Sequence, residues 1–119
     1  MAKHVNPSGA TPMEIEHKFG EFVENVKALV ANHYETHLPT LDPDEIGVLP
    51  GRVYWKIVRR RASGVGGSVY GFVRKADGAI FKAATWKAPY TKGASAIRGY
   101  VTDDWAMDAA TEYGIVYAR

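Results

Sequence analysis

The chain of 119 residues contains no cysteine, and this absence excludes several kinds of protein. Without thiols there is no disulfide framework, no cysteine nucleophile and no zinc site built on thiolates. Long apolar runs are also missing, since no stretch approaches the ~18 consecutive apolar residues of a membrane span. Residues 1–10 lack the apolar centre of a signal peptide. We therefore expect a cytoplasmic protein that is not associated with a membrane and carries no cofactor.

Acidic side chains are almost absent from the middle of the chain, residues 52–100. Asp77 is the one acid of this segment and stands against eleven lysines and arginines, a net charge of +10. Residues 1–51 carry −5 and residues 101–119 carry −3, so the overall charge of +2 hides a strong segregation. Aromatic residues lie among the cations: Tyr54, Trp55, Tyr70, Phe72, Phe81, Trp86, Tyr90 and Tyr100. This mixture is typical of surfaces that bind single-stranded nucleic acid, because phosphates attract cations and unstacked bases pack on flat rings.

The amino-terminal part predicts a flexible arm followed by a long helix. Residues 1–10 contain few apolar side chains and are expected to be the arm, and residues 11–119 to form a single α+β domain. Thr11, Pro12 and Glu14 form a helix-start signal, and apolar residues then recur at spacings of three and four up to about His37. Gly20 lies within this helix at a cost of about 1 kcal/mol, which favours close approach of another backbone.

Two histidines four residues apart, His33 and His37, invite comparison with a zinc site. A hydrolytic zinc helix has glutamate directly after the first histidine, where this chain has Tyr34. A third ligand is also missing nearby. We therefore predict no metal site and interpret the histidines as favourable charges near the carboxyl end of a helix.

The basic segment predicts an antiparallel sheet. Alternation from Val53 to Arg61 predicts one strand, Ser68 to Lys75 a second and Ala79 to Thr85 a third, with Ile46 to Leu49 as a short edge strand at best. Asp77-Gly78 predicts a two-residue hairpin turn that pairs Arg74 with Phe81.

Near the carboxyl end we expect a short helix that faces inward through Trp105 and Ala109 and ends at Gly114. A short strand over Ile115 to Tyr117 is expected to follow. The predicted fold is α+β: a long amino-terminal helix packed on a three- to four-stranded antiparallel sheet, with a short carboxyl-terminal helix.

Two loops have residues suited to binding. Gly64, Gly66 and Gly67 lie beside three arginines, but their spacing is not that of a phosphate-binding loop, which favours a flexible hairpin tip. After the third strand, Trp86, Lys87, Tyr90 and Lys92 alternate rings with cations. Two roles are open for Trp86: a ring in the core, or a ring that stacks on bases.

Three runs of the sequence resemble those of a known group of proteins. They are Ser68 to Val73, Asp77-Gly78-Ala79-Ile80-Phe81-Lys82-Ala83-Ala84-Thr85-Trp86-Lys87-Ala88-Pro89, and the earlier Tyr54-Trp55-Lys56-Ile57-Val58. They resemble a family of small proteins encoded by tailed bacteriophages, in which the string DG-x-I-x-KAA-[ST]-WK-x-P recurs. About half of the chain is covered. The resemblance implies a phage protein that acts in the bacterial host cytoplasm or in the virion, and it implies no activity and no catalytic residue.

These observations lead to one principal hypothesis: non-catalytic binding of nucleic acid, with single strands preferred. The expected contacts to phosphates and bases come from the sheet and the Trp86 loop, namely Lys56, Arg59, Arg60, Arg61, Lys82, Trp86, Lys87, Tyr90, Lys92 and Arg98.

Two alternatives remain open. In the first, the protein is a virion component or binds a host factor, and its acidic and basic segments neutralise each other within the fold or across an oligomer. In the second, a phosphorylated small molecule such as a nucleotide binds in the region from Arg59 to Gly67.

Overall fold

The computed structural model describes residues 9–64 and 66–116, and the expected arm lies largely outside them. One long helix, α1 (Pro12–His37), packs across an antiparallel sheet of five strands. The strands are β1 (Glu45–Pro50), β2 (Tyr54–Arg60), β3 (Gly67–Arg74), β4 (Ala79–Phe81) and β5 (Ile97–Tyr100). A 3₁₀ helix (Ala106–Ala109) follows. The α+β prediction is confirmed, but the sheet has five strands rather than three or four.

The predicted start of α1 is confirmed in detail. Thr11 is the N-cap, its side chain accepts a hydrogen bond from the Glu14 N–H, and the Glu14 carboxylate accepts one from the Thr11 N–H. This capping box satisfies two donors that the first turn leaves unpaired. The apolar stripe is buried at Ile15, Phe19, Phe22, Val23, Val26 and Val30. Gly20 lies on the exposed side, and a Cβ there would have no described atom within 4 Å, so the predicted backbone approach is absent within the described chain.

The strand order in the sheet is β1-β2-β3-β4-β5, so each strand pairs with its neighbours in the chain. The predicted register of the β3–β4 hairpin is wrong by two residues, because Phe72 pairs with Phe81 and Val73 with Ile80. The turn is longer than two residues because Asp77 accepts hydrogen bonds from the Arg74 side chain and the Ala79 N–H. An even shift leaves every side chain on its expected face.

Two further expectations are corrected. β4 ends at Phe81 rather than Thr85, because the Lys82 carbonyl already accepts a hydrogen bond from the Tyr90 N–H across the following loop. The predicted carboxyl-terminal helix is a four-residue 3₁₀ turn that ends before Gly114, and Trp105 is 64% exposed rather than buried. With about three residues per turn, Ala106 and Ala109 face inward instead.

Beyond the 3₁₀ turn, an isolated bridge between Ala110 and Ile115 replaces the expected final strand. Tyr117, the end of that prediction, lies outside the described residues.

Both faces of the sheet are covered. The inner face packs on α1 and on the chain around the 3₁₀ helix, through residues such as Ile57, Val73 and Ile80, which are almost fully buried. The opposite side, called the outer face here, carries Phe72 and Phe81 in a second apolar cluster with Ala96. This cluster lies beneath the Lys82–Ala96 loop (residues 82–96), which connects β4 to β5. The two ends of this loop, through Ala83 and Ala96, therefore pack against the sheet.

Candidate nucleic-acid interface

The Lys82–Ala96 loop is held in shape by its own hydrogen bonds. Tyr90 donates its N–H to the Lys82 carbonyl at 2.7 Å, and Ala83 forms a bridge with Pro89. The Thr85 hydroxyl accepts from the N–H groups of Lys87 and Ala88, both at 3.1 Å. Trp86 and Lys87 consequently occupy the tip of a tight turn whose backbone groups are internally paired.

The tip contacts the sheet through Lys56. The Lys56 Nζ lies 4.4 Å from the centroid of the Trp86 ring and 5.9 Å from that of Phe72. Such cation–π contacts stabilise a cation without neutralising its charge. No described carboxylate forms an ion pair with Lys56, so its positive charge is uncompensated at the outer face. Trp86 is 51% exposed, which places its ring at the surface and excludes the core role for it.

A groove of about 310 Å³ opens beside this contact. Tyr54 and Phe72 contribute aromatic side chains to it, and the chain from Leu49 to Val53 forms one wall. Three cations line it: Arg52, Lys56 and Lys87. The groove thus combines an aromatic surface with positive charge, the chemistry that binds a base together with its phosphate.

Arg59 lies on the other side of β2 and serves the fold. Its Nε lies 2.8 Å from Asp44 Oδ2, and its Nη1 donates to the Glu112 carbonyl at 2.6 Å. Burial lowers the pKa of the Arg59 guanidinium, but hydrogen bonds with Asp44 and Tyr34 outweigh it and raise the pKa above its usual range. This engagement occupies the Arg59 guanidinium, one of the three arginines in the region from Arg59 to Gly67 to which the small-molecule alternative refers.

Lys82 and Arg98 point toward the carboxyl-terminal segment. Lys82 Nζ donates to the Ile115 carbonyl at 3.5 Å, and Arg98 Nε donates to the Val116 carbonyl at 3.0 Å. Arg98 Nη1 also donates to the carbonyls of Ser95 and Ala96. These two cations hold chain segments together, away from the groove.

The remaining predicted cations are dispersed. Arg60 is exposed at the far end of β2, with its guanidinium over Gly47, and Arg61 lies near Gly66 in the β2–β3 connection. Tyr90 is 41% exposed, and Lys92 follows it in the same loop. Of the ten predicted residues, Lys56 and Lys87 line the groove, and Trp86 contacts Lys56.

Sequence reasoning missed the other half of the groove. Arg52, Tyr54 and Phe72 were counted only as part of the basic and aromatic segment, and Leu49 was assigned to an edge strand. The alternation of Tyr54 and Lys56 in β2 is the signal that places both on one face. Finding their partner Phe72 requires the β2–β3 register, which pairs it with Lys56.

The two layers differ in charge. Helix α1 carries five glutamates against two lysines, and its exposed side is therefore acidic.

His33 and His37 stack near the end of α1 with ring centroids 4.9 Å apart. Across residues 9–64 and 66–116, no three potential ligands gather as a metal site would require. No helix in these ranges is long and apolar enough to cross a membrane.

Comparisons with known proteins give one result. Neither the curated proteins nor the solved structures include a match to this chain. A family model described as a family of unknown function matches residues 12–113, from the start of α1 to the turn after the 3₁₀ helix. The chain therefore belongs to this family, DUF7717.

Proposed function

We propose that this protein binds single-stranded nucleic acid, without catalysis, through the groove beside Trp86. The observation that carries the proposal is the position of Lys56, whose ammonium lies over Trp86 and near Phe72 with no described carboxylate in an ion pair. Arg52 and Lys87 line the same groove, so three positive charges surround one aromatic surface. A phosphate gains attraction there without breaking an internal ion pair.

Single strands suit this site better than duplexes. The groove of about 310 Å³ has room for a base and its phosphate, and bases in a duplex are stacked on each other and inaccessible to protein rings. The Trp86 ring, which contacts the groove residue Lys56, is half exposed and presents a surface on which an unstacked base can pack.

The test is fluorescence anisotropy with a labelled strand of about 30 nucleotides and its duplex across a salt series. We expect the single strand to bind more tightly. If the three groove cations each contact a phosphate, log affinity should fall against log salt with a slope of about −2. Replacing Lys56 and Lys87 by glutamine should weaken binding and flatten the slope by about 0.7 for each lysine.

A matched control is Lys27→Gln, which removes the same charge from α1 on the opposite layer. It should leave both affinity and slope unchanged. Equal losses in the control and the groove variants would show that net charge, not this groove, governs binding. A wild-type protein that binds neither strand at low salt would overturn the proposal.

We place this activity in a bacteriophage-encoded accessory protein acting in the host cytoplasm or the virion. The support is the string from Asp77 to Pro89, which resembles a recurrent string of small phage proteins. The same string builds the turn, β4 and the Trp86 tip. Mass spectrometry of purified virions and of infected cells would separate the two locations.

A second candidate is binding of a free nucleotide, favoured by the size of the groove, which is at the lower end of small-ligand sites. Nucleotides that raise the melting temperature of the wild type but not of a Lys56→Gln variant would support it. A uniformly flat thermal-shift screen would exclude it.

A further inference from the structure

We infer that a second copy of this chain docks its Trp86 tip into a cleft between α1 and the β1 edge of the sheet. The cleft has a volume of about 580 Å³. Phe19, Val23 and Trp55 contribute its apolar lining, and Gly20 leaves one side open. This inference goes beyond the proposed function and does not depend on it, although both use the Trp86 tip.

The glycine at position 20 indicates that the cleft binds a partner. A glycine in the middle of a helix costs about 1 kcal/mol relative to alanine, and no described atom lies within 4 Å of the Cβ position to explain it. A longer side chain at this position would project beside Glu16 and Glu24 and obstruct the opening. Gly20 therefore lowers the stability of the helix and keeps the cleft accessible.

Charge identifies the occupant. The cleft is lined by Glu16, Glu24 and Lys27. Lys27 pairs with Glu24 at 3.1 Å, whereas Glu16 pairs with no described cation, which leaves one uncompensated negative charge. The cleft thus suits an apolar side chain accompanied by a positive charge. On this chain the Trp86 tip has that composition, because a half-exposed indole is followed directly by exposed Lys87.

The geometry of such an interaction is head to tail. Tip and cleft are different surfaces of the chain, so one tip bound in one cleft leaves one tip and one cleft open to further copies. One loop in one cleft buries a small area, typical of weak and transient contacts. Assembly should therefore grow with protein concentration and diminish with salt.

Sedimentation velocity from micromolar to millimolar protein at low salt is the first test. The sedimentation coefficient of the wild type should rise with concentration, and that of Gly20→Gln should stay at the monomer value because the side chain fills the opening. Asn32→Gln, at an exposed α1 position away from the cleft, is the matched control and should behave like the wild type. A wild type that stays monomeric throughout overturns the inference.

A charge exchange gives a second, independent test. Glu16→Lys alone and Lys87→Glu alone should each abolish association, because tip and cleft then carry like charges. An equimolar mixture should associate again, since each tip meets a cleft of opposite charge in the other variant. A mixture that remains monomeric while the wild type assembles would refute the pairing of tip and cleft.

A failure of the docking inference can be distinguished from a failure of the proposed nucleic-acid binding. Gly20→Gln leaves the groove intact and should bind a labelled single strand with wild-type affinity.

Discussion

The ring of Phe19 on α1 lies parallel to the ring of Trp55 on β2, with centroids 4.2 Å apart and planes 8° apart. Lys75 Nζ also lies over the Trp55 ring, 5.7 Å from its centroid. This stack joins the helix to the sheet at the end of the sheet where β2 begins. Trp55 is thus a direct aromatic contact between the two layers.

Trp55→Ala should therefore lower the free energy of unfolding by about 3 kcal/mol, the value for removing a large aromatic ring from packed surroundings. Urea denaturation measures it. Trp105→Ala is the control, since that ring is 64% exposed and its loss should change stability by no more than about 0.5 kcal/mol. Equal effects of the two substitutions would contradict the assigned role of the stack.

Gly20→Ala should raise the free energy of unfolding by about 1 kcal/mol, because alanine has the higher helix propensity and the new methyl group meets no described atom. The measurement is chemical denaturation at micromolar concentration, where weak association does not contribute. A destabilised variant would mean that an unseen neighbour occupies the space.

Tyr70 should make stability fall at alkaline pH. Burial raises the pKa of its phenol to about 12, and the hydroxyl donates a hydrogen bond to the Thr111 carbonyl. Below pH 10 the phenol is protonated in both the folded and the unfolded chain, so its contribution to the free energy of unfolding is fully present. Between about pH 10 and 12 the unfolded chain ionises first, so stability is lost at about 1.4 kcal/mol per pH unit.

Urea denaturation across this pH range should therefore show a shallower decline for Tyr70→Phe than for the wild type. At neutral pH the variant should be less stable by about 1 kcal/mol, since the buried hydrogen bond is lost. Tyr113→Phe, at a ring that is 70% exposed, should keep the wild-type profile. Identical slopes for all three proteins would remove Tyr70 as the cause.

Gly71→Ala should destabilise the protein by about 1–3 kcal/mol through overpacking. A methyl group there would clash with Ile115 Cγ1 and lie 3.1 Å from the Phe81 carbonyl oxygen. In an Ile115→Ala background the added penalty should shrink, because the cavity accepts the methyl group. Strict additivity in this double-mutant cycle would show that the two positions do not compete for space.

Trp86→Ala should weaken single-strand binding by roughly 1–3 kcal/mol if the ring stacks on a base. Its fold should persist, because the ring is half exposed and the turn is held by Thr85 and backbone hydrogen bonds. Anisotropy titration checks it, with Trp105→Ala as an exposed tryptophan elsewhere. A folded Trp86→Ala protein with unchanged affinity would exclude the ring from the site.

Local signals made the helix and the main strands predictable. The capping box at Thr11 and Glu14 and the apolar stripe of α1 depend on residues close in sequence, and both were identified correctly. The predicted register of the β3–β4 hairpin is wrong, because Arg74 and Asp77 form an ion pair that enlarges the turn. Turn dipeptides carry no information about such a side-chain bond.

The candidate site was predictable only in part. Lys56 and Trp86 are thirty residues apart in sequence, and their contact exists because the Lys82–Ala96 loop packs on the outer face. Composition also cannot separate cations that bind a ligand from those that hold the fold. Arg59, Lys82 and Arg98 belong to the second group, since their partners are a carboxylate and carbonyl groups distant in sequence.

Neighbour-to-neighbour strand pairing also shapes how the chain folds. The connections from β1 to β2, β2 to β3 and β3 to β4 are short, whereas β4 and β5 are separated by the fifteen residues from Lys82 to Ala96. Closing that loop costs the most chain entropy of any pairing in the sheet. The docking of β5 and the positioning of Trp86 against Lys56 are thus coupled, so the candidate groove is completed in the same step that closes the sheet.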